Sequence, residues 1–293
     1  MKKSIMELMK KLKKNCGEIF LTMPSLLWML FFFIIPILII LTFAFKTADL
    51  YGGIGDSWNL DNFKRMCDAN FFPVLWRTVW LSATATFLCL VIALPTGYFL
   101  GRVKRKWRDF LLMLIIVPFW TNFLIRIFAW KTILHPDGLL KKIFVALHIV
   151  SDDTLLLYNP GAVLLVLIYT HLPFAILPIY AAAEKFDYSL LEAAYDLGAG
   201  KLQALFRVFI PAISGGIIAA VLVVFIPALG SYIIPDLVGG ADSEMLGNKI
   251  ARYTSVDRNL PYASALSALL ALFILLPVLF ALFNKNKMSF YKK

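Results

Sequence analysis

Six apolar stretches, each long enough to cross the hydrocarbon core of a bilayer, dominate the sequence. That core is about 30 Å thick and an α-helix rises about 1.5 Å per residue, so about 20 apolar residues make one crossing. The stretches are residues 19–45, 78–101, 110–130, 154–183, 208–235 and 259–284. Hydrophobic residues make up 60% of the 293 residues and charged residues 16%, which leaves too little polar surface for a soluble domain. The sequence therefore predicts an all-α membrane protein with six transmembrane helices.

The distribution of lysine and arginine predicts which side of the membrane each loop faces. The N-terminus, the second and fourth loops and the C-terminus contain 18 of the 29 basic residues, and the three opposite loops contain 9. The positive-inside rule therefore places both termini in the cytoplasm. The net charge of +11 then reflects topology and lipid contact, and no nucleic-acid partner is expected.

The chain divides into four parts. We expect a basic cytoplasmic N-terminus (1–18), a first anchor helix (19–45), a core with five further transmembrane helices (46–284) and a cytoplasmic tail (285–293). The apolar run of the anchor exceeds the roughly 7–15 residues of a cleaved signal peptide. The cysteines lie at different levels, so no disulfide is expected; they are Cys16 inside, Cys67 outside and Cys89 within a span.

The composition of the spans argues against an enzyme. No acidic residue lies within a span, which disfavours a carboxylate proton relay. The segment from Gly198 to Lys201 lacks the flanking residues of a phosphate-binding loop, so the energy source must be another chain or an ion gradient. Arg77 and Arg126 lie near the outer ends of the second and third spans. We expect both to snorkel to the headgroups, with a role in an outer gate as the alternative.

Prolines lie inside the apolar runs, where each removes a backbone hydrogen bond that lipid cannot replace. They are Pro36, Pro95, Pro118, Pro173, Pro178, Pro227 and Pro277. The combination of Pro227 and Gly230 in the fifth span is the place where a broken helix is most expected. The other prolines are expected to kink their helices.

The loop at residues 184–211 predicts two short helices on the cytoplasmic side. Ser189 and Glu192 have the spacing of a capping box, and Gly198 suits the left-handed residue that ends a helix. A second short helix is expected to end near Pro211. Apolar contacts are expected from Leu190, Leu191 and Leu197. A low surface, which lets another protein approach, is expected at Ala193, Ala194 and Ala199.

The same loop resembles the cytoplasmic signature of the permeases of ATP-binding-cassette importers: Glu-Ala-Ala, three residues, Gly, nine residues, then Ile-x-Leu-Pro. The spacing is preserved, with Val208 and Ile210 in place of the two aliphatic residues. In that family the loop forms a coupling helix that fits into a cleft of the ATPase subunit. The resemblance implies a type I importer permease fold. It also implies an ATPase-coupling role for Glu192, Ala193, Ala194, Asp196, Gly198 and Pro211.

Softer motifs resemble the spermidine/putrescine permeases within this family. They lie at residues 61–65, 116–126, 192–203, 227–240 and 246–248. The resemblance implies a second homologous permease as heterodimer partner, an ATPase dimer that binds the ATP, and an extracytoplasmic polyamine-binding protein. It also implies a multi-pass location in the bacterial plasma (inner) membrane, and no cofactor is expected in this chain.

Other functions remain open at this stage. Within the importer class, iron, thiamine, sulfate and phosphate are alternative solutes. A secondary transporter would explain six spans, but it has no need of the Glu192 signature and the spans lack acids for ion coupling. A membrane scaffold would explain the composition alone.

A polyamine path needs carboxylates at its mouth and aromatic faces within, because aromatic rings attract ammonium groups. Asp236 follows the outer end of the fifth span, and Tyr232 precedes it by one helical turn. Trp120 and Asn122 lie beside Pro118 in the third span. The predicted substrate path therefore comprises Trp120, Asn122, Tyr232 and Asp236, and the competing interpretation is that Trp120 packs the bundle and Asp236 caps a loop.

Overall fold

The computed structural model describes residues 22–49, 52–68 and 71–289. The basic segment at residues 1–18, Cys16 and the last residues of the tail lie outside the described residues. The helices, in chain order, are α1 (Thr22–Ala44), α2 (Asp61–Arg65), α3 (Phe71–Arg102), α4 (Arg105–Ile116), α5 (Phe123–Leu134), α6 (Leu139–Ala146), α7 (Pro160–Glu184), α8 (Ser189–Asp196), α9 (Lys201–Ala204), α10 (Ile210–Ala212), α11 (Ser214–Leu229), α12 (Ile233–Val238), α13 (Leu246–Ser255) and α14 (Leu260–Ser289).

Three of the described helices, α1, α3 and α7, are long and apolar enough to cross a membrane unbroken. Two further candidate crossings are bent. Arg105–Trp120 meets Phe123–Ala146 at 90°, and Lys201–Ala212 meets Ser214–Leu229 at 73°. A shorter apolar segment, Leu260–Leu275, forms the first part of α14. The helical class is as expected, and the predicted third span, residues 110–130, contains the first of these two bends.

The break in the third span has a local cause. After α4 the chain tightens into a 3₁₀ turn at Val117–Trp120, which has Pro118 near its start. The Thr121 hydroxyl donates to the Pro118 carbonyl at 2.6 Å. Asn122 then caps α5, since its side chain accepts a hydrogen bond from the backbone N–H of Leu124 at 2.8 Å. A cap satisfies a donor that the interrupted helix leaves free, and it fixes the new helix direction.

The core lies where α3 packs along α7. Gly97 permits the close approach, because a β-carbon there would lie 2.7 Å from Cγ2 of Ile179. One buried cluster, at one end of the bundle, includes Leu100, Ala183 and Leu191. A second cluster, at the other end, includes Leu81, Val163 and Val238 and places α12 there. The loop containing α8 and the segment around α12 therefore lie at opposite ends.

A short hairpin follows the first span and departs from the all-α prediction. Strands β1 (Lys46–Ala48) and β2 (Ile54–Trp58) pair antiparallel. The side chain of Asn62 donates to the carbonyl oxygens of Ala44 and Lys46 at 3.0 and 2.8 Å, which fixes the hairpin to the end of α1. The side chains of α1 itself are mostly exposed, and its main helical neighbour in this chain is α14. Cys67 and Cys89 are free thiols.

Candidate functional site

Helix α8 begins differently from the prediction. Its N-cap is Tyr188, and no side chain caps it. The backbone N–H of Ser189 instead donates to Oδ1 of Asp187 at 3.0 Å. Hydrogen bonds from the Ser189 side chain and backbone hold the pKa of Asp187 below its ordinary value. The predicted capping box between Ser189 and Glu192 is therefore wrong, because a carboxylate two residues earlier binds the serine, which leaves Glu192 exposed.

The end of α8 is as the sequence predicts. Gly198 has a φ of +84°, in the left-handed region. Its N–H donates to the carbonyl of Tyr195 at 2.9 Å, and the N–H of Ala199 donates to that of Ala194 at 2.9 Å. This pair of bonds is a Schellman motif, in which glycine avoids the steric cost of a β-carbon. The chain turns sharply here and leads into α9.

Two faces of α8 have opposite environments. Leu191 is 3% exposed and packs in the cluster with Ala183 and Leu100. The opposite face contains Leu190, Ala193 and Leu197, at spacings of three and four residues. Leu190 is 50% exposed and Leu197 is 89% exposed, so both leave most of their apolar contact surface open. We call Leu190, Ala193 and Leu197 the docking face, and Glu192 and Asp196 are exposed beside it.

An aromatic cluster connects the docking face to the spans. Tyr188, which precedes α8, has its ring centroid 5.2 Å from that of Phe186 and 6.4 Å from that of Phe209. Tyr98 of α3 contacts Phe209 edge-on at 5.0 Å. Arg102 donates to the Tyr98 hydroxyl at 2.7 Å. These contacts connect the start of α8 to α3 and to the start of the fifth span.

The second short helix runs from Lys201 to Ala212 and ends at the bend before α11, close to where the sequence predicts. Its middle, Leu205–Phe209, is a π-helical turn, and Pro211 follows as an exposed residue of α10. Proline cannot donate a backbone hydrogen bond, so the helical ladder is interrupted ahead of it. Pro211 thus lies beside the 73° bend between this helix and the fifth span.

At the other end of the bundle the fifth span is broken, as predicted. Helix α11 ends at Leu229, and α12 begins at Ile233. Pro227 remains within α11, so the interruption lies at Gly230 and Ser231. Tyr232 and Asp236, one turn apart, line a cavity of about 630 Å³. Glu244, Asn248 and Arg252 also line it.

Two side chains, Asn248 of α13 and Arg77 of α3, brace the cavity. Asn248 donates from Nδ2 to the Tyr232 carbonyl at 2.9 Å and accepts from the Met245 N–H at 3.1 Å, so it ties α13 to the break. Arg77 donates from Nη1 to the carbonyls of Ala241 and Glu244 at 3.3 and 3.4 Å. Arg77 therefore reaches towards the outer loop as expected from its place in the span, and there it holds the segment at residues 241–244. The Leu246-Gly-Asn248 motif was the one sequence signal for this brace.

Trp120 and Asn122 lie apart from Tyr232 and Asp236. Trp120 is 83% exposed at the end of the 3₁₀ turn. Asn122 caps α5. Neither is among the described residues that line the 630 Å³ cavity. The structure therefore brings together two of the four predicted path residues.

Arg126 faces a second cavity, of about 420 Å³, which shares Tyr232 with the first. Its Nε and Nη1 atoms are buried and have no hydrogen-bond partner among the described residues. The guanidinium lies 4.4 Å from the ring centroid of Phe119 and 5.9 Å from that of Phe123. Such contacts contribute about 0.5–2 kcal/mol each, whereas removing a charge from water costs several kcal/mol. Among the described residues, the charge of Arg126 is therefore under-compensated.

Residues 93–288 match the family model described as binding-protein-dependent transport system inner membrane component. The matched region contains α8, the docking face and both cavities. The chain belongs to this family. Its members are permeases of ABC importers, and the chain is a transport subunit, not an enzyme.

Curated relatives of this permease extend over most of its length. The spermidine/putrescine transport system permease protein PotB of Haemophilus influenzae is 38% identical over 261 residues, covering 89% of this chain and 91% of that protein. The protein of the same name from Escherichia coli K12 is 38% identical over 84% of this chain and 89% of its own length. The inner membrane ABC transporter permease protein YdcU of E. coli is 27% identical over 85% of this chain and 83% of that protein.

Solved structures show the permease fold. A chain of a bacterial ABC transporter involved in the import of the acidic polysaccharide alginate superposes with a TM-score of 0.72 at 18% identity, covering 97% of this chain and 99% of that one. A chain of the alginate transporter in complex with its pentasaccharide-bound periplasmic protein gives a TM-score of 0.70 at 20% identity, covering 93% and 94%. At these identities the likeness concerns the fold alone.

Proposed function

We propose that this permease forms half of a polyamine path through the bacterial inner membrane, beside a second homologous permease. A separate ATPase dimer drives it, and an extracytoplasmic binding protein delivers spermidine or putrescine. The observation that carries the substrate class is the 38% identity to spermidine/putrescine permeases over 89% of the chain. The loop with α8 and both termini lie in the cytoplasm in this proposal.

The separate ATPase acts on the permease through the docking face. Leu190, Ala193 and Leu197 present an apolar strip that water surrounds in the isolated chain, and an ATPase cleft would cover it. Exposed Glu192 and Asp196 flank the strip and supply polar contacts at its rim. Gly198 fixes the angle at which the loop leaves the cleft. ATPase closure then moves α8, and the aromatic cluster passes the movement to the spans.

The substrate route lies on the Asp236 side of Tyr232. The larger cavity offers the carboxylates of Asp236 and Glu244 to an ammonium group, although Glu244 is also 3.5 Å from Arg252. The tyrosine ring adds cation–π attraction of about 0.5–2 kcal/mol, enough to guide a cation without trapping it. The smaller cavity contains Arg126, which repels a cation. The two cavities therefore differ in the net charge of their linings, and the larger one suits a cation better.

Two predicted residues remain in the proposed path as its approach. Trp120 exposes most of its ring at the break in the third span, where a second permease or a passing ammonium group can contact it. Asn122 contributes by holding the direction of α5. The route itself lies at the break in the fifth span, on the Asp236 side of Tyr232.

Uptake by cells lacking their own polyamine importer tests the proposal. With the complete transport system expressed, radiolabelled spermidine should accumulate, and unlabelled putrescine should compete while thiamine and phosphate do not. Asp236→Lys should abolish uptake yet preserve assembly and basal ATP hydrolysis, and Asp236→Asn should be milder. Wild-type uptake by both Asp236→Lys and Trp120→Ala would refute the route, and absence of polyamine uptake by the unmodified system would refute the substrate.

A further inference from the structure

The smaller cavity contains a positive charge, that of Arg126, for which the described part of the chain supplies no counter-ion. Two of the Arg126 nitrogens are buried without a hydrogen-bond partner, and the guanidinium is not within ion-pair distance of a described carboxylate. The described residues that line the cavity with it include no aspartate or glutamate; its polar members are Thr170, His171, Ser231 and Tyr232. His171 points Nδ1 at the carbonyl of Leu167, at 2.8 Å.

We propose that a carboxylate of the second permease subunit enters this cavity and pairs with Arg126. This inference rests on the proposed function, which supplies the second subunit. A buried guanidinium requires an anion that accepts its N–H groups, and a carboxylate fits the planar fork with two parallel bonds. A carboxylate on a protein segment also arrives with apolar surface around it.

The surroundings of the cavity are apolar, so water does not replace the missing anion there. Large apolar side chains are exposed along the same part of the chain: Ile125 at 65%, Phe128 at 51%, Phe174 at 45% and Val223 at 46%. Interface cores are apolar and dry, with arginine enriched as a central anchor. A charge recessed within an apolar rim matches that pattern.

The ion pair would act on the broken fifth span. Gly230 and Ser231, the unwound residues, form part of the cavity wall, and Tyr232 separates it from the carboxylate-lined cavity. A carboxylate anchored on Arg126 therefore holds the break against the partner subunit. The pair is an outer latch between the two permeases, and it stays clear of the cationic substrate on the other side of Tyr232.

Carbodiimide cross-linking in membranes tests the pairing directly. Arg126→Lys places an amine in the cavity, and a membrane-permeant carbodiimide joins an amine to a carboxylate in contact with it. In the complete complex, the variant should give a covalent adduct between the two permeases, with Lys at position 126 identified by mass spectrometry. The unmodified complex is the matched control, because a guanidinium does not form this link, and Arg77→Lys should give no link to the partner.

A link to a carboxylate of this chain, a lipid adduct alone, or no adduct would overturn the proposal. If Arg126→Lys does not assemble, Arg126→Gln and Arg126→Glu provide the second test. Arg126→Glu should reduce the yield of co-purified partner at least tenfold more than Arg126→Gln, since it sets two carboxylates against each other. Equal yields would also overturn the pairing. Neither readout requires transport, so the two proposals can fail separately. Polyamine uptake without a cross-link would refute the Arg126 ion pair alone. A cross-link without polyamine uptake would refute the polyamine assignment alone.

Discussion

Two leucines of the coupling loop provide a matched test of how the permease couples to its ATPase. Leu191 within α8 is 3% exposed, and Leu197 at the C-cap of that helix is 89% exposed. Leu191→Ala leaves a cavity in the core beneath the loop, and such changes cost about 2–5 kcal/mol of folding stability. Leu197→Ala removes a side chain that touches little in the isolated chain, so its effect on stability should stay within about 0.5 kcal/mol.

For ATPase binding, the two substitutions should rank the other way: Leu197→Ala should have the larger effect. If the cleft buries Leu197, the side chain contributes about 1.5–3 kcal/mol to docking. Since each 1.4 kcal/mol is about a factor of ten in affinity, Leu197→Ala should weaken ATPase binding by about 10- to 100-fold. Leu191→Ala, where it folds, should leave the affinity nearly unchanged.

Both quantities can be measured on the permease pair in lipid nanodiscs. Thermal unfolding gives the stability of each variant, and titration with labelled ATPase gives the dissociation constant. Wild-type ATPase affinity in Leu197→Ala would refute the assignment of the docking face. A large loss of permease stability in Leu197→Ala would refute its exposure.

Three further outcomes follow from the structure. In a background without native cysteines, since Cys67 is an exposed thiol, labelling from outside with an impermeant thiol reagent should modify Asp242→Cys and spare Ser189→Cys. Both positions are exposed, and the reverse pattern would invert the topology. Gly198→Ala should cost about 1–2 kcal/mol of stability and reduce uptake, because the φ of Gly198 is +84°. Gly200→Ala, at a φ of −70°, should transport normally. Equal uptake by the two variants would refute a role for the left-handed turn in coupling. Gly97→Ala should lower the yield of folded permease, since its β-carbon meets Ile179, while Gly215→Ala, with nothing within 4 Å, should not; equal yields would contradict the tight α3–α7 contact.

The sequence anticipates the coupling loop well because its signals are local. Gly198 follows the C-cap of α8, where a helix commonly ends with a left-handed glycine. The second short helix ends beside Pro211, which lacks a backbone donor. The predicted capping box is wrong for an equally local reason. The Ser189 N–H, which the Glu192 side chain would accept from in a capping box, donates to Asp187 instead. The roles of the coupling residues in docking stay predictions.

The spans are harder to anticipate, because hydropathy reports length and not direction. The break at Trp120–Asn122 lies inside a stretch that hydropathy alone assigns to one span, and only Pro118 and the capping asparagine mark it. Arg126 could be placed near the outer end by counting residues, yet its burial against Phe119 depends on where α5 turns. Burial in a broken span is a tertiary property, and no periodicity in the sequence encodes it.

Reconstituted transport tests the central claim most directly. The permease pair, ATPase and binding protein are placed in proteoliposomes with ATP in the compartment that exposes the ATPase, and labelled spermidine is added with the binding protein on the other side. The account predicts uptake that requires hydrolysable ATP and the binding protein, and that falls sharply with Leu197→Ala. Uptake that persists with a non-hydrolysable ATP analogue, or that follows an imposed ion gradient without the ATPase, would contradict it.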